Sequence, residues 1–136
     1  MKRGLIRGLG LKFSHYARAC ALRDDFIARL EGFLQAWDVW LCPVSSGPAF
    51  THRRTGKPID IDGQRVEYLH ACGGHTAMFN FSGNPVLVLP AGFAGDGLPI
   101  GVQFVARRWG DDHLLSLAPA LEEVIGAARP PPLAGG

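Results

Sequence analysis

Lysine is nearly absent from this chain. Lys2, Lys12 and Lys57 are its only lysines, each in a segment expected to be exposed or mobile, and none suits a buried general base. Cysteine is as rare. Cys20, Cys42 and Cys72 are odd in number and form no close pair, which argues against a disulfide framework and for a reducing, cytoplasmic location. No segment reaches about 18 consecutive apolar residues, so no membrane-spanning helix is expected. Residues 1–7 are basic but lack the apolar stretch and small-residue cleavage pattern of a secretory signal. The net charge is +2, with arginines spread along the chain, which leaves no concentrated basic face for nucleic acid or anionic lipid. Neither Gly-x-Ser-x-Gly nor Gly-Lys-Ser/Thr occurs. A nucleophile elbow and a phosphate-cradling loop are therefore excluded, and no cofactor is predicted.

What is present is one domain's worth of apolar sequence: 47% of the 136 residues are hydrophobic, enough for a modest core. Over residues 14–36, Tyr16, Ala19, Cys20, Phe26, Ile27, Leu30, Phe33 and Leu34 recur at helical spacing, and Ser14 can cap the start. Asp38-Val39-Trp40-Leu41-Cys42 changes to a strand-like run that Pro43 ends. Residues 43–65 are polar, contain Gly47, Pro48, Gly56, Pro58 and Gly63, and read as a long surface loop. Residues 67–81 return to a helical pattern, broken at Gly73-Gly74 and stopped by Gly83 and Pro85, hence one broken helix or two short ones.

Val86-Leu87-Val88-Leu89 is apolar on both faces and predicts an interior strand. Turn chemistry over residues 92–99 sends the chain back as a hairpin into a second strand over residues 100–106. Asp111 is the expected N-cap of a closing helix through Ile125. The element order predicts an α/β fold without repeats. Residues 1–13 read as a basic N-terminal segment, 14–127 as the folded part and 128–136 as a Pro/Gly-rich frayed tail. Two or three strands are few for sequences this apolar, so residues 86–89 look built for neighbours beyond those this chain supplies.

Local motifs speak for scaffold rather than chemistry. Ser45-Ser46-Gly47 has the residue types of a hydrolytic site with a backbone oxyanion hole, yet no base stands near it and a plain loop after Pro43 accounts for it. His70-Ala71-Cys72-Gly73-Gly74-His75 holds three potential ligands where a structural zinc site needs four, at spacings that do not match, so no metal is expected. Asp24-Asp25 and Asp111-Asp112 would point about 100° apart on a helix and cannot face one substrate together. Gly92, Gly95, Gly97 and Gly101 are explained by the hairpin turn.

Several segments taken in order are more specific: Tyr16, Arg23, Asp38-Val39-Trp40-Leu41-Cys42-Pro43, and Thr76-Ala77-Met78-Phe79-Asn80-Phe81-Ser82-Gly83-Asn84-Pro85. After these come Val86-Leu87-Val88-Leu89-Pro90-Ala91-Gly92, Gly97-Leu98-Pro99-Ile100-Gly101-Val102-Gln103-Phe104-Val105 and the stretch from Leu114-Leu115 to Leu121-Glu122. The succession resembles the C-terminal region of the amidase-signature family, which includes bacterial amidases, fatty-acid amide hydrolases and the A subunit of glutamyl-tRNA amidotransferase. Its most specific part is Asn80-x-x-Gly83-x-Pro85 running into an apolar strand and then Gly-Leu-Pro-Ile-Gly-Val-Gln.

The resemblance implies the C-terminal portion of a mixed-sheet α/β fold, with helices flanking a few strands including a hairpin. It also implies hydrolysis of a carboxamide to an acid and ammonia or amine. In the family's Ser-Ser-Lys relay, lysine accepts a proton through a bridging serine while a second serine attacks the carbonyl. That relay has no counterpart here, and Ser45-Ser46 falls where the family has the end of a strand, so no residue of this chain is expected to be catalytic. Arg23 matches an arginine that in the amidotransferase subunit contacts the substrate carboxylate, and a bidentate guanidinium suits that task. A salt bridge joining the helix to neighbouring loops is the other reading of Arg23. Gly73 falls where that subunit carries an acidic residue, which speaks against a glutamine-like substrate.

The expectation is a C-terminal amidase-signature segment, from a truncated gene, a fragmentary gene model or a split enzyme, inactive alone. A small-molecule amide would be turned over only with an N-terminal amidase half. The rival expectations are a non-catalytic module that uses residues 43–65 and Arg23 to hold an acidic ligand or partner, and a homo-oligomer joined through an exposed sheet edge.

Overall fold

In the computed structural model, which describes residue 6 and residues 8–126, the first long element is helix α1, Phe13–Leu34. The chain continues as β1 (Trp40–Pro43), β2 (Ile59–Ile61), β3 (Gln64–Val66), α2 (Tyr68–Gly73), α3 (Ala77–Ser82), β4 (Val86–Phe93), β5 (Pro99–Val105) and α4 (Asp111–Ile125). The tail expected at residues 128–136 lies outside the described residues, as do residues 1–5 and 7 of the basic segment. Among the described residues no helix is long and apolar enough to cross a membrane.

The apolar stripe of α1 is spaced for a helix, but only its C-terminal half meets a partner. Ile27, Leu30 and Leu34 are buried, whereas Phe13, Tyr16 and Leu22 stand in solvent. Ser14 does not cap the helix: it lies inside the first turn, and the N-cap is Lys12, extended and without a side-chain cap bond. Asp111 is likewise not the cap of α4. Gly110 holds that position, and Asp111 and Asp112 fall in the first turn, where carboxylates oppose the positive end of the helix dipole.

β1, β5 and β4 form an antiparallel sheet in that order, and residues directly opposed across it share a face. Trp40, Val105 and Val86 align, as do Cys42, Gln103 and Val88. This face meets α1 and α3 in a core of Leu30, Leu34, Phe79 and Val105. The opposite face carries Leu41, Phe104 and Leu87 in one row and is packed by α4, where Leu114 clusters with Phe104 and Ala106.

Each helical layer stops short of one outer strand. On the first face Val88 of β4 remains 52% exposed, and on the second Leu41 of β1 remains 56% exposed. Among the described residues β1 and β4 each have a strand neighbour on one side only. The interior position predicted for residues 86–89 is therefore not filled by this chain.

Residues 43–65 are not all loop. Ile59 and Ile61 pair with Val66 and Gln64, and Asp60 faces Arg65, across a two-residue Asp62-Gly63 turn with both φ angles positive, 51° and 78°. That is the mirror-image turn whose twist suits a tight hairpin. Ile59-Asp60-Ile61 alternation followed by Asp-Gly was the sequence signal for it. The second hairpin, β4–β5, forms as predicted, although β4 runs on to Phe93 and the turn is confined to residues 94–98, closed by Ala94 N–H on Leu98 O at 2.8 Å.

Residues 67–81 resolve into two short helices. α3 ends at Gly83, whose φ of 80° places it in the left-handed region, where its N–H reaches Phe79 O at 2.7 Å. A Cβ added there would sit in ordinary contact, 3.7 Å from Arg108 Nε. The cost of Gly83→Ala is thus backbone strain without a clash, about 1 kcal/mol. A urea midpoint that did not move would contradict this account of the helix end.

Asn84, the next residue, is a buried hub. Its Nδ2 donates to Glu31 Oε1 at 2.7 Å and to Ala106 O at 2.9 Å, and its Oδ1 accepts from Ser82 Oγ at 2.6 Å. Glu31 also accepts the Arg108 backbone N–H at 3.2 and 3.3 Å. One side chain thereby joins α1, the corner between α3 and β4, and the exit of β5.

Candidate functional site

Where β1 ends and β5 begins, the chain leaves a cleft of about 360 Å³. One wall is Pro43 and residues 45–49, the other residues 99–102. A second hollow of about 240 Å³ shares residues 46–49 and runs on to Phe50 and the β2–β3 hairpin. Close packing sets these walls: a Cβ on Gly47 would lie 2.9 Å from Ile61 Cδ1, and one on Gly101 would lie 3.6 Å from Val44 Cγ2.

Ser45 and Ser46 line this cleft, and their hydroxyls are occupied. Ser45 Oγ donates to Gly47 O at 2.7 Å, and Ser46 Oγ reaches His70 O at 3.4 Å while Ser46 N–H is held by Ala71 O at 3.2 Å. Among the described residues neither hydroxyl bonds a histidine, lysine or carboxylate side chain. A serine activated for attack must hand its proton to such a base. Lys12 stands at the start of α1 and Lys57 in the exposed loop, while Lys2 lies outside the described residues.

His70, Cys72 and His75 do not converge. His70 Nδ1 lies 3.5 Å from Glu67 in solvent, Cys72 is exposed, and among the described residues no group of three or more His, Cys, Asp or Glu gathers with metal-binding geometry. Asp25 pairs with Arg29 at 2.9 Å on the exposed side of α1, as a solvated pair.

Arg23 is placed elsewhere. Its Nε donates to Phe81 O at 2.7 Å and its guanidinium lies 5.7 Å from the Phe81 ring centroid. Phe81 is near the C-terminal end of α3, at the corner where β5 finishes, whereas the cleft opens where β5 starts. The Phe81 contact ties α1 to α3 through a backbone carbonyl. The salt bridge to neighbouring loops weighed from the sequence is not what forms here: the partner is a helix carbonyl.

Reasoning from the sequence missed Gln103. It is fully buried, and its Nε2 donates to Pro43 O at 2.7 Å and His75 O at 2.9 Å. A lone amide in the apolar run of residues 100–105 was the available signal. Burial pushes the thiol of its cross-strand neighbour Cys42 up, and the Gln103 amide offsets this in part. At neutral pH the thiolate is the reacting form, so iodoacetamide is expected to label exposed Cys72 well before Cys42. Labelling of Cys42 should increase as pH rises. Because the folded thiol titrates above its unfolded value, its small contribution to stability is present at neutral pH and lost in alkali. Peptide mass mapping over a time course checks the order, and Cys42 reacting first would contradict it.

Known proteins share this fold. The Amidase family model matches residues 1–115. Over 119 residues the chain is 37% identical to the A subunit of the glutamyl-tRNA(Gln) amidotransferase from Deinococcus radiodurans, covering 85% of this chain and 23% of that protein. It is 38% identical over 112 residues to the putative amidase AmiD of Mycobacterium tuberculosis, covering 80% and 22%. Among solved structures, an amidase crystal structure superimposes with a TM-score of 0.77 at 29% identity, covering 91% of this chain and 28% of that one. A 6-aminohexanoate cyclic dimer hydrolase complexed with substrate superimposes with a TM-score of 0.69 at 27% identity, covering 95% and 28%. The chain spans about a quarter of the length of the curated relatives it matches, and its mixed α/β fold corresponds to a C-terminal portion of theirs.

Proposed function

This chain belongs to the amidase family, and from that premise we propose that it forms the C-terminal part of an amidase-signature amide hydrolase, a sheet segment and substrate wall that does not hydrolyse amides by itself. The parent reaction adds water across a carboxamide C–N bond, giving a carboxylate and ammonia or an amine. The observation that carries the reading is the cleft itself: its walls are closely packed, and the hydroxyls of Ser45 and Ser46 are committed to carbonyl oxygens. Purified chain incubated with simple amides should release no ammonia above buffer, and a fluorophosphonate probe should label neither serine. Turnover or labelling traced to Ser45 or Ser46 would refute the inactivity.

Catalysis then requires residues outside this sequence, and the sheet suggests how they join. Val88 on one face of β4 and Leu41 on the opposite face of β1 are exposed at the two free edges, and an exposed apolar edge favours added strands. An amidase half carrying the Ser-Ser-Lys relay is the partner proposed for these edges. Mixing the chain with such a half should restore ammonia release, and no recovery from a co-folded mixture would remove this partner. A chain that instead sediments as a stable dimer would favour pairing with itself.

The alternative to the cleft is the Phe81 corner at the far end of β5, where Arg23 is proposed to meet a substrate carboxylate with its Nη atoms, its Nε being fixed on Phe81 O. In a reconstituted enzyme, Arg23→Lys keeps the charge but loses the planar fork, so KM for an acidic amide should rise while KM for a neutral amide stays put. Equal changes for both would mean that Arg23 serves only as an anchor.

A further inference from the structure

We propose that Gln103 is a positioning residue that holds the two walls of the cleft at a set separation. The inference rests on reading that cleft as a substrate wall. The second wall, residues 99–102, ends one residue before Gln103 on the same strand. The first wall begins at Pro43, whose carbonyl accepts one Gln103 amide hydrogen at 2.7 Å. The other amide hydrogen goes to His75 O at 2.9 Å, in the connector between α2 and α3. α2 in turn holds the wall loop through Ala71 O and Ser46 N–H at 3.2 Å. A single side chain thus joins β5, the exit of β1 and the α2–α3 connector, next to the residues that line the cleft.

The amide at this position is only partly satisfied. Gln103 is fully buried beside Cys42 and Val88, and its Oε1 has no hydrogen-bond partner among the described residues. A buried acceptor left unpaired costs free energy that an apolar side chain of the same length would not incur. What the apolar side chain loses is the pair of directed bonds to Pro43 O and His75 O, and with them the tie between the strand pair and the connector that backs the wall loop, since pairing of Pro43 with Val102 fixes the walls only at their base.

Amide hydrogen exchange on the intact chain tests this and needs no turnover. In Gln103→Met, exchange at Ser46 N–H should accelerate about tenfold, the effect of losing roughly one hydrogen bond on local opening. Ala106 N–H, held by Pro85 O at the far end of the sheet, should keep its rate. Gln103→Glu gives a second readout. A protonated carboxyl still donates one bond, whereas an ionised one donates none and faces two carbonyl oxygens. Ser46 exchange in that variant, corrected for its intrinsic pH dependence, should be near wild type at low pH and rise as the carboxyl ionises.

The other titratable groups around this position are the Cys42 thiol on β1, His70 on α2 and His75 in the connector. The wild-type chain carries all three and is the reference over the same pH range. Unchanged Ser46 exchange in the Met variant, equal acceleration at Ser46 and Ala106, or a flat corrected profile in the Glu variant overturns the proposal. If Gln103→Met does not fold, the Glu profile decides alone. None of these outcomes bears on the amide-hydrolase reading, which stands or falls on turnover and reconstitution.

Discussion

Phe79→Ala should lower the unfolding free energy by about 3–5 kcal/mol, the usual cost of deleting a buried phenylalanine. Phe79 is 1% exposed and joins Leu30, Leu34 and Val105 in the core between α1, α3 and the sheet. Its ring also meets Trp40 edge to face, with centroids 5.6 Å apart, a geometry that adds to area burial. Such a loss is a large share of the roughly 5–15 kcal/mol that holds a typical domain together. Phe81, two residues on, is 50% exposed, and Phe81→Ala should cost less than half as much. Urea denaturation of both variants checks the contrast, and equal midpoints would mean that the core is not centred on Phe79.

Asn84→Ala should cost about 2–4 kcal/mol, because it removes three hydrogen bonds at once from a buried network. Ala106 O loses its side-chain donor, Ser82 Oγ keeps only the longer contact to Phe79 O at 3.3 Å, and the Glu31 carboxylate keeps only the Arg108 backbone N–H. Removing Glu31 as well should therefore cost less than the sum of the two single changes. A double-mutant cycle of Asn84→Ala with Glu31→Ala reads this directly. Strict additivity would show that the 2.7 Å contact between them contributes nothing to folding.

These two residues also show how far the sequence could be read. The Asn80-x-x-Gly83-x-Pro85 succession was visible as a helix stop and strand launch, and Gly83 does end α3 in the left-handed region. That Asn84 between them gathers α1 and the exit of β5 was not visible, because its partners Glu31 and Ala106 lie 53 and 22 residues away. The β2–β3 hairpin was missed for a different reason. Its alternation is only three residues long and sits inside a Gly- and Pro-rich stretch, so loop composition masked an Asp62-Gly63 turn that was there to be read.

The sequence by itself determined the local elements and the family, since helix spacing, turn glycines and proline stops act over a few residues and recur in order. Only the tertiary structure decided which distant side chains and carbonyls meet. Gln103 reaches Pro43 across 60 residues, and Arg23 reaches Phe81 across 58. Both bonds exist because of strand register and helix docking. Those depend on how α1, α3 and α4 each cover part of a sheet that, among the described residues, is open at both edges, and no local pattern of residue types encodes that.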